Sequence, residues 1–336
     1  MNLKDIAERA GVSTASVSNV INGNFHKVSA ETRARIENII KETNYHPNVV
    51  ARSLAGTQNH MVGLVVPYIS SMEEFTISPY YTYVISALER YVRNHDYYLL
   101  LRCVPDVHSI VPFLSAWNVD GAIFLGVLGT DVAQIKKDFK APAVFLDTYT
   151  DEKVVNVGID DYRGGYLAAR YLIGKGHRRI AFTSPDPSVG GVIGERFRGF
   201  SDACREAGVD FSMEDVYRTN TIYYNAISVG QDVALSGKGY TAVAAMSDIV
   251  AMGVMEGIRQ CGFSVPDDFS VIGFDNINEG AYVTPKLTTV EQDMKGKAEL
   301  VGKYLLNMIE TGEETAVNEK LPVCIKERES VKTIIV

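Results

Sequence analysis

A chain of 336 residues is too long for one small domain and gives room for two or three with large cores. Apolar residues make up 46% and charged residues 22%, the make-up of an ordinary soluble globular protein. The net charge of −8 speaks against a uniformly basic nucleic-acid binder, yet residues 1–56 hold seven Lys/Arg against five Asp/Glu, an excess of +2 that leaves −10 for the remainder.

The first predicted elements lie in Leu3–Asn22, LKDIAERAGVSTASVSNVIN, which reads as two short helices around a tight turn. Ile6, Ala7 and Ala10 share one face of the first helix. Gly11 stands where the chain must reverse, and Ser13 is a suitable N-cap for the second helix. Val17, Val20 and Ile21 then point back at the first helix. Thr14, Ala15, Ser16 and Asn19 are left facing outward, small and polar enough for a helix to enter a DNA major groove. On this pattern alone, an ordinary helical hairpin with a polar outer face fits equally well.

A third helix follows Ser29, with Ile36, Ile39 and Ile40 as its apolar stripe. Pro47 then interrupts, and Asn48 can cap a helix of under two turns over Val49–Leu54. So short a helix is unstable alone and needs a surface to fold against, such as a second copy of itself on DNA. Leu54, at its end, is placed to wedge between base pairs in the minor groove.

From Met61 the pattern changes to short β-branched runs alternating with helices. The clearest strands are Val62–Val66, Tyr97–Leu101, Gly121–Leu125, Ala143–Leu146, Val155–Ile159, Arg179–Thr183, Ala242–Met246 and Ser270–Phe274. Apolar strands separated by amphipathic helices indicate parallel sheets covered on both faces, which bind ligands beyond the carboxyl ends of their strands. Polar residues stand at those ends: Asp147, Asp160, the pair Ser247 and Asp248, and Asp275. A carboxylate there can accept the paired hydroxyls of a sugar or a ring N–H of a base. The plain alternative for Asp160 and Asp161 is capping of the following helix, with Asp161 favoured for that part. Tyr80, Tyr81 and Phe75 lie near the end of the first strand and are candidate lid residues.

The segments DIAERAGVSTASVSNVING, TRARIENIIKETNYHPNVVARSLAG, VIGFDN and TPKLTTVEQD resemble the lactose-repressor/galactose-repressor (LacI/GalR) family of bacterial transcription regulators over nearly the whole chain. The head and hinge are spelled like those of its purine-responsive members. The resemblance implies an α/β body of two doubly wound parallel-sheet lobes, like type I periplasmic binding proteins, behind an all-α helix-turn-helix head. The expected divisions are a head at 1–46, a hinge helix and linker at 47–59 and a body at 60–336. Lobe one takes about 60–160 and 291–319, lobe two about 161–290 and 320–336, with crossings near Asp160, Val290 and Lys320.

Thr14, Ala15, Ser16, Asn19, Asn48 and Leu54 are the expected DNA contacts, and by resemblance Arg196 and Asp275 match the family's principal effector residues. Asp147, Asp160, Tyr224 and Ser247 would complete the effector site, although Ser247 stands where many sugar-responsive members carry Asn. The segment Tyr68–Pro79 is longer than the family's turn, and Pro105 and Pro112 interrupt the run after Leu101.

The implied partners are operator DNA, a small-molecule effector and a second copy of the chain as homodimer. The effector is a sugar or sugar derivative, or alternatively a purine-type corepressor. A cytoplasmic sugar-binding protein would share the body but lack the head. Six scattered histidines, four cysteines without metal spacing and the lack of a Walker loop or GxSxG elbow give no enzyme, cofactor or metal site to expect. No charged-then-apolar leader opens the chain and no apolar run is long enough to span a membrane, so a cytoplasmic protein is expected.

Overall fold

The computed structural model describes residues 2–21, 23–45, 59–67, 78–104 and 110–334. Asn48, Leu54 and the hinge helix expected at Val49–Leu54 lie outside them, as do Phe75 and most of the Tyr68–Pro79 segment. Contacts divide the chain into two units, Met1–Asn59 and His60–Val336.

The first unit begins with a capping box. The Asn2 side chain accepts from the Lys4 and Asp5 backbone N–H groups, while the Asp5 carboxylate accepts from the Asn2 N–H at 2.8 Å. Helix α1, Leu3–Ala10, ends at Gly11, whose φ of 63° closes the turn without a side-chain penalty. Ser13 then accepts from the Ser16 N–H at 3.2 Å and starts α2, Thr14–Ile21. Ser29 accepts from the Thr32 N–H and starts α3, Ala30–Thr43. Ile6, Ala7, Ala10, Val17, Val20 and Ile36 form the buried core of the three helices, with Ile39 and Ile40 packed partly buried at its edge. Thr14 and Ala15 are exposed; Ser16 and Asn19 are half-buried.

In the second unit, lobe one runs β1 (Met61–Pro67), α4 (Pro79–Arg93), β2 (Tyr98–Val104), α5 (Ile110–Ala116), β3 (Gly121–Leu125), α6 (Gly129–Asp138), β4 (Ala143–Leu146) and β5 (Val155–Ile159). Lobe two follows as α7 (Asp161–Gly174), β6 (Ile180–Ser184), α8 (Gly191–Glu206), β7 (Val216–Arg218), α9 (Tyr223–Leu235), β8 (Ala242–Ala245), α10 (Asp248–Gln260), β9 (Ser270–Asp275) and β10 (Thr288–Gln292). The chain returns to lobe one for α11 (Met294–Thr311) and β11 (Val317–Leu321), then adds β12 (Val323–Lys326) to lobe two. The sheet orders are β11-β5-β4-β3-β1-β2 and β12-β10-β9-β8-β6-β7. All pairings are parallel except β10 with β12.

Two details depart from the sequence expectation. Strand β2 extends to Val104, because all seven of its residues find partners along β1. The crossing expected near Val290 falls after Gln292, because Thr288–Glu291 still pairs with β9. Helix α5 is short, and Pro112 sits in its first turn, where a missing N–H does no harm.

Each sheet is covered on both faces. In lobe one Leu88, Ile123, Val301 and Leu305 share one core, and Leu114, Phe124, Ile135 and Phe145 share the other. In lobe two Leu172, Phe182 and Phe200 pack on one face, and Val243, Val254 and Ile258 on the other.

Candidate functional site: a charged cluster between two lobes

The carboxyl ends of the two sheets meet at a cluster of buried charges. On the lobe-two side, Arg196 projects from α8 and is only 7% exposed. Its Nε donates to Asp161 Oδ1 at 2.8 Å and its Nη1 to the Met246 carbonyl at 2.7 Å. Nη1 also lies 3.8 Å from Asp275 Oδ1, and the guanidinium sits 3.5 Å over the Phe274 ring. This reach requires α8 to lie tightly on α7. A Cβ at Gly165 would stand 1.9 Å from the Arg196 carbonyl oxygen, and one at Gly199 1.9 Å from that of Tyr162. Glycine at both positions lets the helix backbones touch.

Asp275 ends β9 with φ 118°, a conformation that side chains rarely adopt. Gln292 Nε2 donates to its Oδ1 at 2.6 Å. Burial raises the Asp275 pKa to about 6 against the lowering pull of Arg196, Gln292 and Lys297, while Asp161 adds a small push upward. Asp161 is also raised by burial, and Arg196 again opposes the shift. Asp248, fully buried, accepts from the Ile277 N–H and from Thr289 Oγ1 at 2.9 and 2.5 Å. Burial and the charge of Asp275 hold its carboxyl well above the usual range.

On the lobe-one side, Asp147 follows β4 with φ 55°. Lys297 of α11 is 1% exposed, and its Nζ donates to Asp147 Oδ1 and Oδ2 at 2.8 and 2.9 Å and to the Tyr80 hydroxyl at 2.7 Å. The Tyr80 hydroxyl in turn donates to Asp147 Oδ2. Side chains bond across the lobes: Tyr149 donates to Asp161 Oδ2 at 2.8 Å, and Tyr83 donates to Glu279 at 3.1 Å.

Arg196, Asp275 and Asp147 are thus brought into one cluster, and Ser247 stands beside it, 6% exposed, in the N-cap position of α10. Asp160 corrects the sequence reading. Its carboxylate accepts from the Arg163 N–H at 2.9 Å and caps α7, whereas Asp161, favoured for capping, is the one that pairs with Arg196. Tyr224 stands outside the cluster, 77% exposed, its ring against Tyr223. Sequence reasoning missed Lys297, Tyr149 and Gln292. Lysine in MKGKAEL looks like a solvated helix residue, and nothing local shows that α11 turns it onto Asp147.

The buried carboxylate carries a pH signature. Asp275 has a folded pKa above its unfolded value, so its contribution to stability is full below about pH 4 and is lost as pH rises through about 6. Arg196, Gln292, Lys297, Asp161 and Asp248 are the groups that bear on it. In Asp275→Asn that loss is absent. The stability of the variant relative to the parent, followed by urea midpoint between pH 4 and 7, is therefore expected to rise with pH and level off above 6. A pH-independent difference would contradict the shifted carboxyl.

Among the described residues no helix is long and apolar enough to cross a membrane, and no group of three or more His, Cys, Asp or Glu is placed to hold a metal.

Comparison with known proteins places this geometry. Residues 2–48 match the model for bacterial regulatory proteins of the lacI family, and residues 169–331 match that for the periplasmic binding protein-like domain. The chain is 34% identical to the HTH-type transcriptional repressor PurR of Edwardsiella ictaluri, over 98% of this chain and 96% of the relative. It is 30% identical to the HTH-type transcriptional regulator MalR of Clostridium butyricum, over 94% of each. Among solved structures it superposes on the lac repressor dimer bound to operator and the anti-inducer ONPF with a TM-score of 0.86, 26% identity and 99% of both chains. A complex of the regulator CelR with cellobiose matches with a TM-score of 0.73 and 26% identity, covering 98% of this chain and 99% of that one.

Proposed function

Because this chain belongs to the LacI family of bacterial regulatory proteins, we propose that it is a transcriptional repressor binding a pseudo-palindromic operator as a homodimer, under the control of a small molecule held between the body lobes. The observation that carries this reading is the pairing in one chain of a capped three-helix head with a two-lobed body whose strand ends converge on Arg196, Asp275 and Asp147. It acts by binding and not by catalysis, and it works in the cytoplasm, at the nucleoid, where its operator lies.

In the head, α2 is the reading helix. Thr14, Ala15, Ser16 and Asn19 stand outside the core on it. One such helix reads only a half-site, so two chains are needed for an operator. Asn48 and Leu54 are assigned to the hinge contact. In the body, carboxylates at strand ends and the guanidinium that faces them suit hydroxyl groups, which donate to the carboxylates and accept from the guanidinium. A sugar is therefore the preferred effector. A melting-temperature screen of neutral saccharides against nucleobases separates it from a purine-type corepressor.

The DNA-binding part is tested by selecting bound sequences from a randomised DNA pool with the full chain. The expected product is an inverted repeat. Asn19→Ala is expected to relax the base preference at one position of each half-site, by about 1–3 kcal/mol of discrimination. An enriched sequence with no internal symmetry would contradict the dimeric reading, and an unaltered preference would remove Asn19 from the reading set.

A further inference from the structure

Five charged side chains meet between the lobes, three acidic (Asp147, Asp161, Asp275) and two basic (Arg196, Lys297). Both cations already face carboxylates. Lys297 spends its three N–H donors on the two Asp147 oxygens and the Tyr80 hydroxyl. Arg196 donates from Nε to Asp161 and from Nη1 to the Met246 carbonyl and lies 3.8 Å from Asp275, so its charge is matched by carboxylates while these bonds use two of its five N–H donors. Thr183 Oγ1, Ser184 Oγ, Ser247 Oγ and Gln292 Oε1 are buried without a hydrogen-bond partner, and all four stand at the carboxyl ends of β6, β8 and β10 in lobe two. Each of these side chains is at least nine-tenths buried. A buried hydroxyl or amide left unpaired is costly, so a ligand that bonds any of these groups gains by it.

From this arrangement we propose that the cleft excludes anionic ligands, and that Asp147 sets the exclusion by occupying Lys297. An incoming molecule meets carboxylate oxygens, hydroxyls and an amide oxygen, and among the described residues both cations of the cluster are already matched by carboxylates. A phosphate or carboxylate would enter an acidic surplus with nothing to neutralise it. An uncharged polyol meets acceptors and neutral donors suited to its hydroxyls. The proposal rests on the cleft being the effector site and adds to it the charge of what enters. Asp147 acts here through Lys297 as a positioning residue. Without the carboxylate, a buried ammonium would be left seeking an anion.

The test uses the full-length protein and calorimetric titration. The neutral probes are glucose, ribose, maltose and cellobiose, and the anionic probes are glucose phosphate, ribose phosphate and glucuronate. The parent is expected to bind a neutral probe at least about tenfold more tightly than its anionic counterpart. Asp147→Asn is expected to gain affinity for the phosphates by about 10–100-fold, the span of a hydrogen bond to a charged group. Phosphate should also raise the melting temperature of that variant and not of the parent. Adding Lys297→Met to Asp147→Asn should abolish the gain, which a general loosening of the fold would not do.

A parent that binds the phosphate as tightly as the neutral sugar overturns the exclusion while leaving the effector cleft intact. A folded Asp147→Asn that gains no anion affinity overturns the part given to Asp147. If that variant fails to fold, the parent's ratio of neutral to anionic affinity still decides the exclusion. If no probe of either kind binds, the saccharide reading of the cleft fails, and this inference falls with it.

Discussion

Replacing Arg196 with alanine is expected to abolish small-molecule binding and to cost the body about 3–5 kcal/mol of stability, the usual penalty for removing one partner of a buried ion pair. The reason lies in what remains. Asp161 is 1% exposed and, among the described residues, would keep the Tyr149 hydroxyl as its hydrogen-bond donor, while Asp275 would lose the guanidinium 3.8 Å away. The Met246 carbonyl at the end of β8 would lose its donor as well. Urea unfolding of the body measures the cost. A second substitution identifies its source: Asp161→Asn placed on Arg196→Ala removes the stranded charge and should recover part of the lost stability. Arg196→Lys keeps the charge but not the fork, so it should fold better than the alanine variant and still bind ligand poorly. A loss below about 1 kcal/mol for Arg196→Ala would mean the pair is solvated and would remove it from the centre of the site.

The second large effect is expected in the head. Ile36 is fully buried against Ile6, Ala7, Ala10, Val17 and Val20, a core of six residues. Ile36→Ala is expected to cost about 2–5 kcal/mol. In so small a unit that is comparable to the whole stability. The head should therefore be largely unfolded, and operator binding should fall by about tenfold or more, in step with the folded fraction. Ligand affinity and the main unfolding transition should not change, because the body is a separate unit. Circular dichroism follows the head, and anisotropy of labelled DNA follows binding. Full operator affinity in Ile36→Ala would show that the core is not what presents α2.

Much of the fold was legible because local chemistry and global packing agree. Gly11, Ser13 and Ser29 are read from sequence as turn and caps, and each performs that part in the structure. The apolar strands and their sheet-end carboxylates are legible for the same reason, since period and position both mark them. What was not legible depends on contacts distant in sequence. Asp160 and Asp161 are adjacent and chemically identical. Only the rotation of α7 against α8, set by Gly165 and Gly199, decides which one caps and which meets Arg196. Lys297 lies 150 residues from Asp147 in the chain, and its burial follows from the return of α11 to lobe one. Tyr224 illustrates the converse. An aromatic residue at the start of a helix after a strand resembles a stacking residue, yet its neighbour Tyr223 is the one packed on the lobe-two core.

The return of the chain across three crossings, after Ile159, Gln292 and Leu321, gives the body a physical route for control. Side chains from both lobes line the same cluster, so a ligand bonded to both changes the balance between lobe arrangements by its difference in affinity for them. That difference is the most a ligand can transmit to the operator-bound state, and it is reciprocal.

The most direct test of this account is the affinity of the full chain for its selected operator, measured by anisotropy with and without a saturating saccharide that binds the cleft. The account predicts a change of about 5–150-fold, corresponding to about 1–3 kcal/mol of coupling, absent in Arg196→Ala. An operator affinity that stays the same while the saccharide is bound would contradict it.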